Sequence, residues 1–358
     1  MEDELKLCWL RHRPREHSAS VIATSGQSQH RSSTDFIERI IRSYRAAIAT
    51  GDKGSPTSMW EGPLAEIKHK EHSTLLDGDV NVVGEMLHNP THSMLCYGFD
   101  ELMLFVEGRT DPASALVKTS EWLYDNLRRL AESVGAIRLA NPENYGHHSD
   151  LDPGIENILS KLDDHFGVRV AFPNPYAGEV GLATSRGIVS YRTIQAIYQA
   201  WRAVNLATTP RVLEIGPGLG RTAFYLKLFG VGDYVGIDIP LSNVAQAHFL
   251  GTTLGESTVR LHGEKRDGFQ IVPDRVLTEL EGHFDVVLNA DSLTEIDRAT
   301  ATTYWRFIEK RCGVLLSINH EDNPFTVRDL YSGNTLRVER YPYWMRRGYV
   351  EEVVRFKA

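Results

Sequence analysis

The sequence predicts an α/β fold. A mostly parallel sheet is covered by helices on both faces, carries an antiparallel terminal hairpin, and follows a mainly helical N-terminal domain. Three observations predict it. From residue 211 onward, short β-branched runs alternate with helical runs. The last two such runs have no helix between them. Before residue 172 the apolar spacing is helical, without alternating strands.

Residues 1–32 are polar, Ser-rich and without periodicity, so a disordered tail is expected. Structure is expected to begin with a helix that puts Ile37, Ile40, Ile41, Tyr44 and Ile48 on one face. Ser33 or Thr34 can cap it. A second amphipathic helix ends at Gly135. A third has Asp152 as N-cap, Pro153 in its first turn and Gly167 as its stop. The stretch 172–187 holds Pro173, Pro175, Gly178, Gly181 and Gly187, and regular structure is not expected there. A helix follows, with Ile194, Ile197, Trp201 and Val204 inward. Strands are expected at 211–215, 234–238, 258–262, 284–290 and 313–319, and helices at 219–229, 241–254, 273–281 and 297–311. The division is therefore 1–32 tail, 33–185 helical domain and 186–358 sheet domain.

The chain has 358 residues, 42% of them hydrophobic, room enough for one large domain or two ordinary ones. Its 39 Lys and Arg against 47 Asp and Glu give a net charge of −8, which argues against a nucleic-acid partner. Cys8, Cys96 and Cys312 lie far apart, which fits reduced thiols in a cytoplasmic protein better than a disulfide framework. No run is long and apolar enough for a membrane span. A homo-oligomer is compatible with all of this.

The sharpest motif is VLEIGPGLGR, residues 212–221. A strand ends at Ile215; Gly216, Gly218 and Gly220 follow, and then a helix. Glycines let the backbone turn tightly and approach a ligand, and the helix start offers free N–H groups. A dinucleotide loop reads G-x-G-x-x-G, but Arg221 stands where its last glycine would be. With Glu214 on the strand, the pattern resembles motif I of the class I S-adenosylmethionine-dependent methyltransferases, whose Rossmann-like sheet carries an antiparallel last strand. An acid beside the loop suits a donor with cationic ammonium and sulfonium groups. Asp238, at the tip of the second strand, is placed to accept hydrogen bonds from ribose hydroxyls, a feature that NAD enzymes share, so it supports a nucleoside without choosing the cofactor. Glu264, just past the expected third strand, is the position that the resemblance assigns to the adenine.

A narrower resemblance covers roughly residues 85–358. IPLSNVAQAHFLG (239–251), NADSLTEI (289–296), LSINHE (316–321) and YPYWMRRGYVEE (341–352), and upstream NPTHSMLCYGFDEL (89–102) and AGEVGLATSRG (177–187), are similar to segments of the sugar O-methyltransferase family of bacterial polysaccharide and natural-product clusters. This implies methyl transfer from S-adenosyl-L-methionine to a hydroxyl of a sugar or glycoside. Other acceptors (a phenol, an amine or a carbon), a nicotinamide oxidoreductase, and a binding module with a vestigial donor site are the alternatives.

Ligands of open parallel sheets bind beyond the carboxyl ends of the strands. Asn289 and Asp291 follow the fourth strand, and His320 and Glu321 follow the fifth, so both sets are expected at one cleft. A sugar hydroxyl is a very weak acid and needs a base or a metal at its proton. Either His320 is the base, oriented by Asp291 or Glu321, or the acids hold a divalent metal; no spacing demands the metal. Tyr343, Trp344, Arg346 and Arg347 are candidates for the acceptor wall. The histidine-rich runs 68–72 and 147–152 read as solvated faces or loops.

Overall fold

The structure, a computed structural model, describes residues 22–26, 31–49, 66–100, 112–139, 153–265, 267–331 and 337–356. The run 147–152, with Asp152, lies outside these residues, as does Cys8. The chain forms two compact units. One contains Leu102–Tyr198 and the strand Ile22–Thr24; the other contains Ser28–Glu101 and Gln199–Ala358.

In the first unit, strand β1 (Ile22–Thr24) pairs antiparallel with β2 (Val180–Thr184), which pairs with β3 (Gly187–Val189). Both the expected tail and the expected irregular stretch thus contribute strands. Ile22 and Thr24 are β-branched residues that suit pairing. Gly181 sits against the backbone of Val189, where a Cβ would not fit, so this glycine serves close strand approach rather than a loop. A long helix spans Pro112–Val134, and another spans Ile155–Phe166. Gly154 stands at the start of the latter, with no side-chain cap.

In the second unit, helix α1 (Thr34–Ala49) buries Ile37, Ile40, Ile41 and Tyr44, and Ser33 Oγ accepts the Phe36 N–H at 3.1 Å. It packs on the helix Pro240–Leu254, where the Phe36 ring fills the space beside Gly251. Residues 34–49 therefore belong with the sheet, and the expected boundary at 185/186 does not coincide with the two units. Helices α2 (His69–Asp77) and α3 (Val80–His88) complete the upstream part.

The sheet has eight strands. They are β4 (Arg211–Ile215), β5 (Asp233–Asp238), β6 (Val259–Leu261), β7 (Phe269–Pro273), β8 (Phe284–Ala290), β9 (Cys312–His320), β10 (Arg337–Pro342) and β11 (Tyr349–Arg355). Their order is β10-β11-β9-β8-β4-β5-β7-β6. β11 lies antiparallel between β9 and β10, and the other pairs are parallel, a Rossmann-like sheet with an antiparallel hairpin at one edge.

The stretch expected to open a helix at 273 instead completes β7, followed by a short 3-10 turn, Asp274–Glu279. All five residues of FQIVP are buried, as a central strand requires, whereas Arg260 marks β6 as the edge. The core under the sheet holds Leu213, Val235, Val287 and Leu315 against Trp305 and Ile308 of helix Arg298–Arg311. Cys96 and Cys312 are buried and unbridged.

Candidate active site

The chain leaves β4 first toward β5 and later toward β8, so the carboxyl ends of these strands form the switch point of the sheet. Gly216, Gly218 and Gly220 follow β4, all with φ between 56° and 88°. A Cβ on Gly216 would run into Ser292 Oγ, and one on Gly220 would meet Gln246. The loop is thus glycine-rich by conformation and by packing alike. Gly220 starts helix α4 (Arg221–Leu228).

Asp238, at the tip of β5, faces this loop. Its Oδ2 accepts the Gly218 N–H at 3.0 Å, and its Oδ1 accepts the Ile239 N–H at 2.8 Å. Burial pushes its carboxyl up to about 7, against those two N–H groups. Glu214 is buried within β4 and accepts the Tyr234 hydroxyl at 2.7 Å; burial pushes it up to about 7 as well. Gln246 in turn donates to the Tyr234 oxygen at 3.2 Å.

Asp274, directly after β7, is the third acid at this edge. Burial raises its carboxyl, and its Oδ1 is buried without a hydrogen-bond partner. It occupies the place next to β5 that sequence reading gave to Glu264. Glu264 follows β6, one strand further out. Arg39 holds Glu264 through two bonds of 2.7 and 2.8 Å, and the Leu261 N–H adds a third of 2.9 Å. Burial opposes ionisation there, but these donors outweigh it and keep the carboxyl below its ordinary value. The signal for Asp274 was the apolar run 269–273 ending in an acid.

On the other side of β4, Asn289 is fully buried. Its Nδ2 donates to Ile215 O at 3.1 Å and also to Ser292 Oγ; its Oδ1 accepts from Asn319 Nδ2 at 2.8 Å. It therefore knits β4, β8 and β9 together beneath the cleft.

Asp291 and His320 are brought together, as the sequence reading expected, and Glu295 joins them. One ligand atom from each of the three lies within 4.8 Å of the others, and all three are half-buried. Asp291 has φ 51°, an uncommon conformation for a non-glycine residue that Asp tolerates better than most. Its Oδ2 accepts from Arg346 Nη1 at 2.5 Å, and the Tyr349 hydroxyl bonds to it as well. His320 Nδ1 accepts the Asp322 N–H at 3.3 Å. A neutral ring accepting at Nδ1 carries its proton at Nε2. Glu295 stands four residues after Asp291 in DSLTE, a spacing that could have flagged it.

Glu321 is not in this cluster. Arg340 binds both of its oxygens, at 2.8 and 2.7 Å, and holds its carboxyl below the usual range. Of the candidate acceptor residues, Tyr343 is buried in the hairpin and Trp344 is half exposed. Arg346 lies 3.9 Å over the Tyr349 ring.

No family model and no curated protein matches the sequence. Solved structures that resemble part of the chain include magnesium protoporphyrin IX methyltransferase from Synechocystis PCC 6803 with bound SAM, at 16% identity and TM-score 0.35, over 46% of this chain and 80% of that one. Cofactor-bound Rv0187 from MTB is 18% identical with TM-score 0.35, over 47% and 82%. The CcbJ methyltransferase from Streptomyces caelestis is 16% identical with TM-score 0.33, over 46% and 90%.

Proposed function

We propose that the chain is an S-adenosylmethionine-dependent O-methyltransferase that acts on a hydroxyl of a sugar or glycoside. One observation carries the donor assignment: Asp238 occupies the Gly218 N–H, with Glu214 and Asp274 nearby at the same edge. A pyrophosphate would need the Gly218 N–H that Asp238 holds, and Glu214, buried inside β4 directly before the loop, sets a further acid against an anionic ligand. A donor with ammonium and sulfonium groups gains from the same acids. The nicotinamide alternative is disfavoured on this ground.

In this reading Asp238 receives the ribose hydroxyls, and Asp274 Oδ1 takes a donor group of the base. Glu214 sets negative charge behind the loop through its bond to Tyr234. The donor supplies an electrophilic methyl group, and the chain must hold an acceptor oxygen in line with it. Asp291, Glu295 and His320 handle the acceptor proton. With its own proton at Nε2, His320 serves as a donor that orients, and the carboxylates take the proton.

A second reading of the cluster is favoured by its spacing. Asp291, Glu295 and His320 could together hold a divalent cation, which would lower the pKa of the hydroxyl. The sugar assignment rests on the sequence segments and on half-exposed Trp344 in the hairpin turn that also carries Arg346 to Asp291. The test is a mass-spectrometric screen of glycosides, phenols and amines with the donor. A gain of about 14 daltons, one CH₂, on a glycoside hydroxyl supports the reading; a gain on phenols or amines alone refutes the sugar assignment.

A further inference from the structure

We propose that Phe99 is a donor-contact residue, and that the turn carrying it is a wall of the donor cleft held in place by Lys68 and by the Asp100–Arg221 pair. The proposal rests on the donor reading above and extends it to residues that neither the glycine motif nor the strand tips indicate.

The Phe99 ring lies against the glycine loop. A Cβ placed on Gly218 would be 3.3 Å from Phe99 Cδ2, an approach tighter than most. Gly218 is the same residue whose N–H is held by Asp238. The Lys68 ammonium lies 4.6 Å from the ring centroid and donates to Leu95 O at 3.2 Å. The turn itself is closed by the Phe99 and Asp100 N–H groups, both donating to Cys96 O. The Met94 N–H, just before it, donates to Glu71 at 2.9 Å.

One residue later, Asp100 receives Arg221 Nε at 2.7 Å and Nη2 at 3.3 Å, and both side chains are nearly fully buried. Arg221 is the first residue of the helix that follows Gly220. A buried ion pair adds little net stability but fixes geometry strongly when its bonds are complete. This one ties the turn to the start of the loop helix. It also gives Arg221, the residue that breaks the dinucleotide spacing, a role.

Phe99 remains half-buried in spite of these contacts. The exposed part of an aromatic ring set against the glycine loop offers a donor nucleoside an apolar surface and a π-face, and covering it would exclude water there. Lys68 is 2% exposed, so it acts as a positioning residue.

The test uses the full chain with S-adenosylhomocysteine and S-adenosylmethionine as probes. Calorimetry on the wild type comes first; if neither nucleoside binds, the donor reading fails, whatever Phe99 does. If they bind, Phe99→Ala is expected to raise Kd about tenfold for S-adenosylmethionine. The ligand-free melting temperature should change by only a few degrees. Phe99→Leu keeps the bulk without the π-face and should favour the neutral homocysteine form relative to the sulfonium. Hydrogen exchange of amides 95–100 in the wild type should slow on adding either nucleoside. That measurement also decides the matter if Phe99→Ala does not fold. Unchanged exchange at 95–100, or an unchanged Kd in a folded Phe99→Ala, overturns the proposal.

Discussion

The Asp238 carboxylate accepts the backbone N–H of Gly218 across the carboxyl edge of the sheet, at 3.0 Å. The second strand tip is thereby tied to the glycine loop without any ligand. A donor ribose would share an acid that already shapes the loop.

Asp238→Ala should therefore cost twice, through the ribose and through the loop. The loss expected is about 1.5–3 kcal/mol for a charge-assisted hydrogen bond, roughly a 10- to 150-fold rise in Kd. Calorimetry on the folded variant checks it, and unchanged affinity would remove Asp238 from the donor site.

Glu214 and Asp238 should make the site sensitive to pH. Burial raises both carboxyls to about 7, from unfolded values of about 4. The native state then binds these protons more tightly than the unfolded state does. Their contribution favours folding fully below about pH 4 and is lost as pH rises to about 7. Glu214→Gln should flatten the fall in melting temperature between pH 5 and 8 in the absence of donor. Binding of a cationic donor favours the ionised acids, so wild-type donor affinity should rise from pH 6 to 8. A flat affinity profile would contradict the electrostatic account.

Proton handling can be divided by chelation. If the carboxylates act as bases, chelator leaves turnover unchanged, whereas Asp291→Asn or Glu295→Gln lowers kcat with donor affinity intact. If the cluster holds a cation, chelator abolishes turnover and Mg²⁺ or Mn²⁺ restores it. In either case His320→Ala should lower kcat by about 10²-fold, through a misplaced acceptor in the first and a weakened cation site in the second. Full turnover in His320→Ala on the true acceptor would take that residue out of the mechanism.

Glu321 should behave as a structural residue. Its partner Arg340 also binds Glu352 at 3.1 Å, so the three residues join β9, β10 and β11. Glu321→Gln is expected to lower stability by less than about 1 kcal/mol, as for partly exposed ion pairs. Turnover should stay near wild type; a large loss of kcat at unchanged stability would return Glu321 to the catalytic set.

The alternation after residue 211 is legible because β4, β5 and β8 are short apolar runs each followed by a helix. The glycine loop and Asp238 were legible because their chemistry is local to one strand end. Asp274 is hidden because β6 and β7 are joined without a helix, and the stretch from 273 reads as the start of a helix rather than the end of a strand. Phe99 and Asp100 lie in NPTHSMLCYGFDEL, one of the segments similar to the family, but that segment does not say what they touch; only tertiary packing brings them and Lys68 to Gly218 and Arg221. The strand at 22–24 was hidden because its hydrogen bonds go to residues more than 150 positions away, a pairing that local periodicity does not encode.

The central claim is that the acid-lined glycine loop takes a cationic sulfonium nucleoside rather than an anionic dinucleotide. A calorimetric titration of the full chain with S-adenosylmethionine and, separately, with NADH and NADPH tests it most directly. Saturable binding of S-adenosylmethionine, weakened in Asp238→Ala, is expected, with no binding of either dinucleotide at the same concentrations. Saturable binding of NADH or NADPH, with none of S-adenosylmethionine, would contradict it.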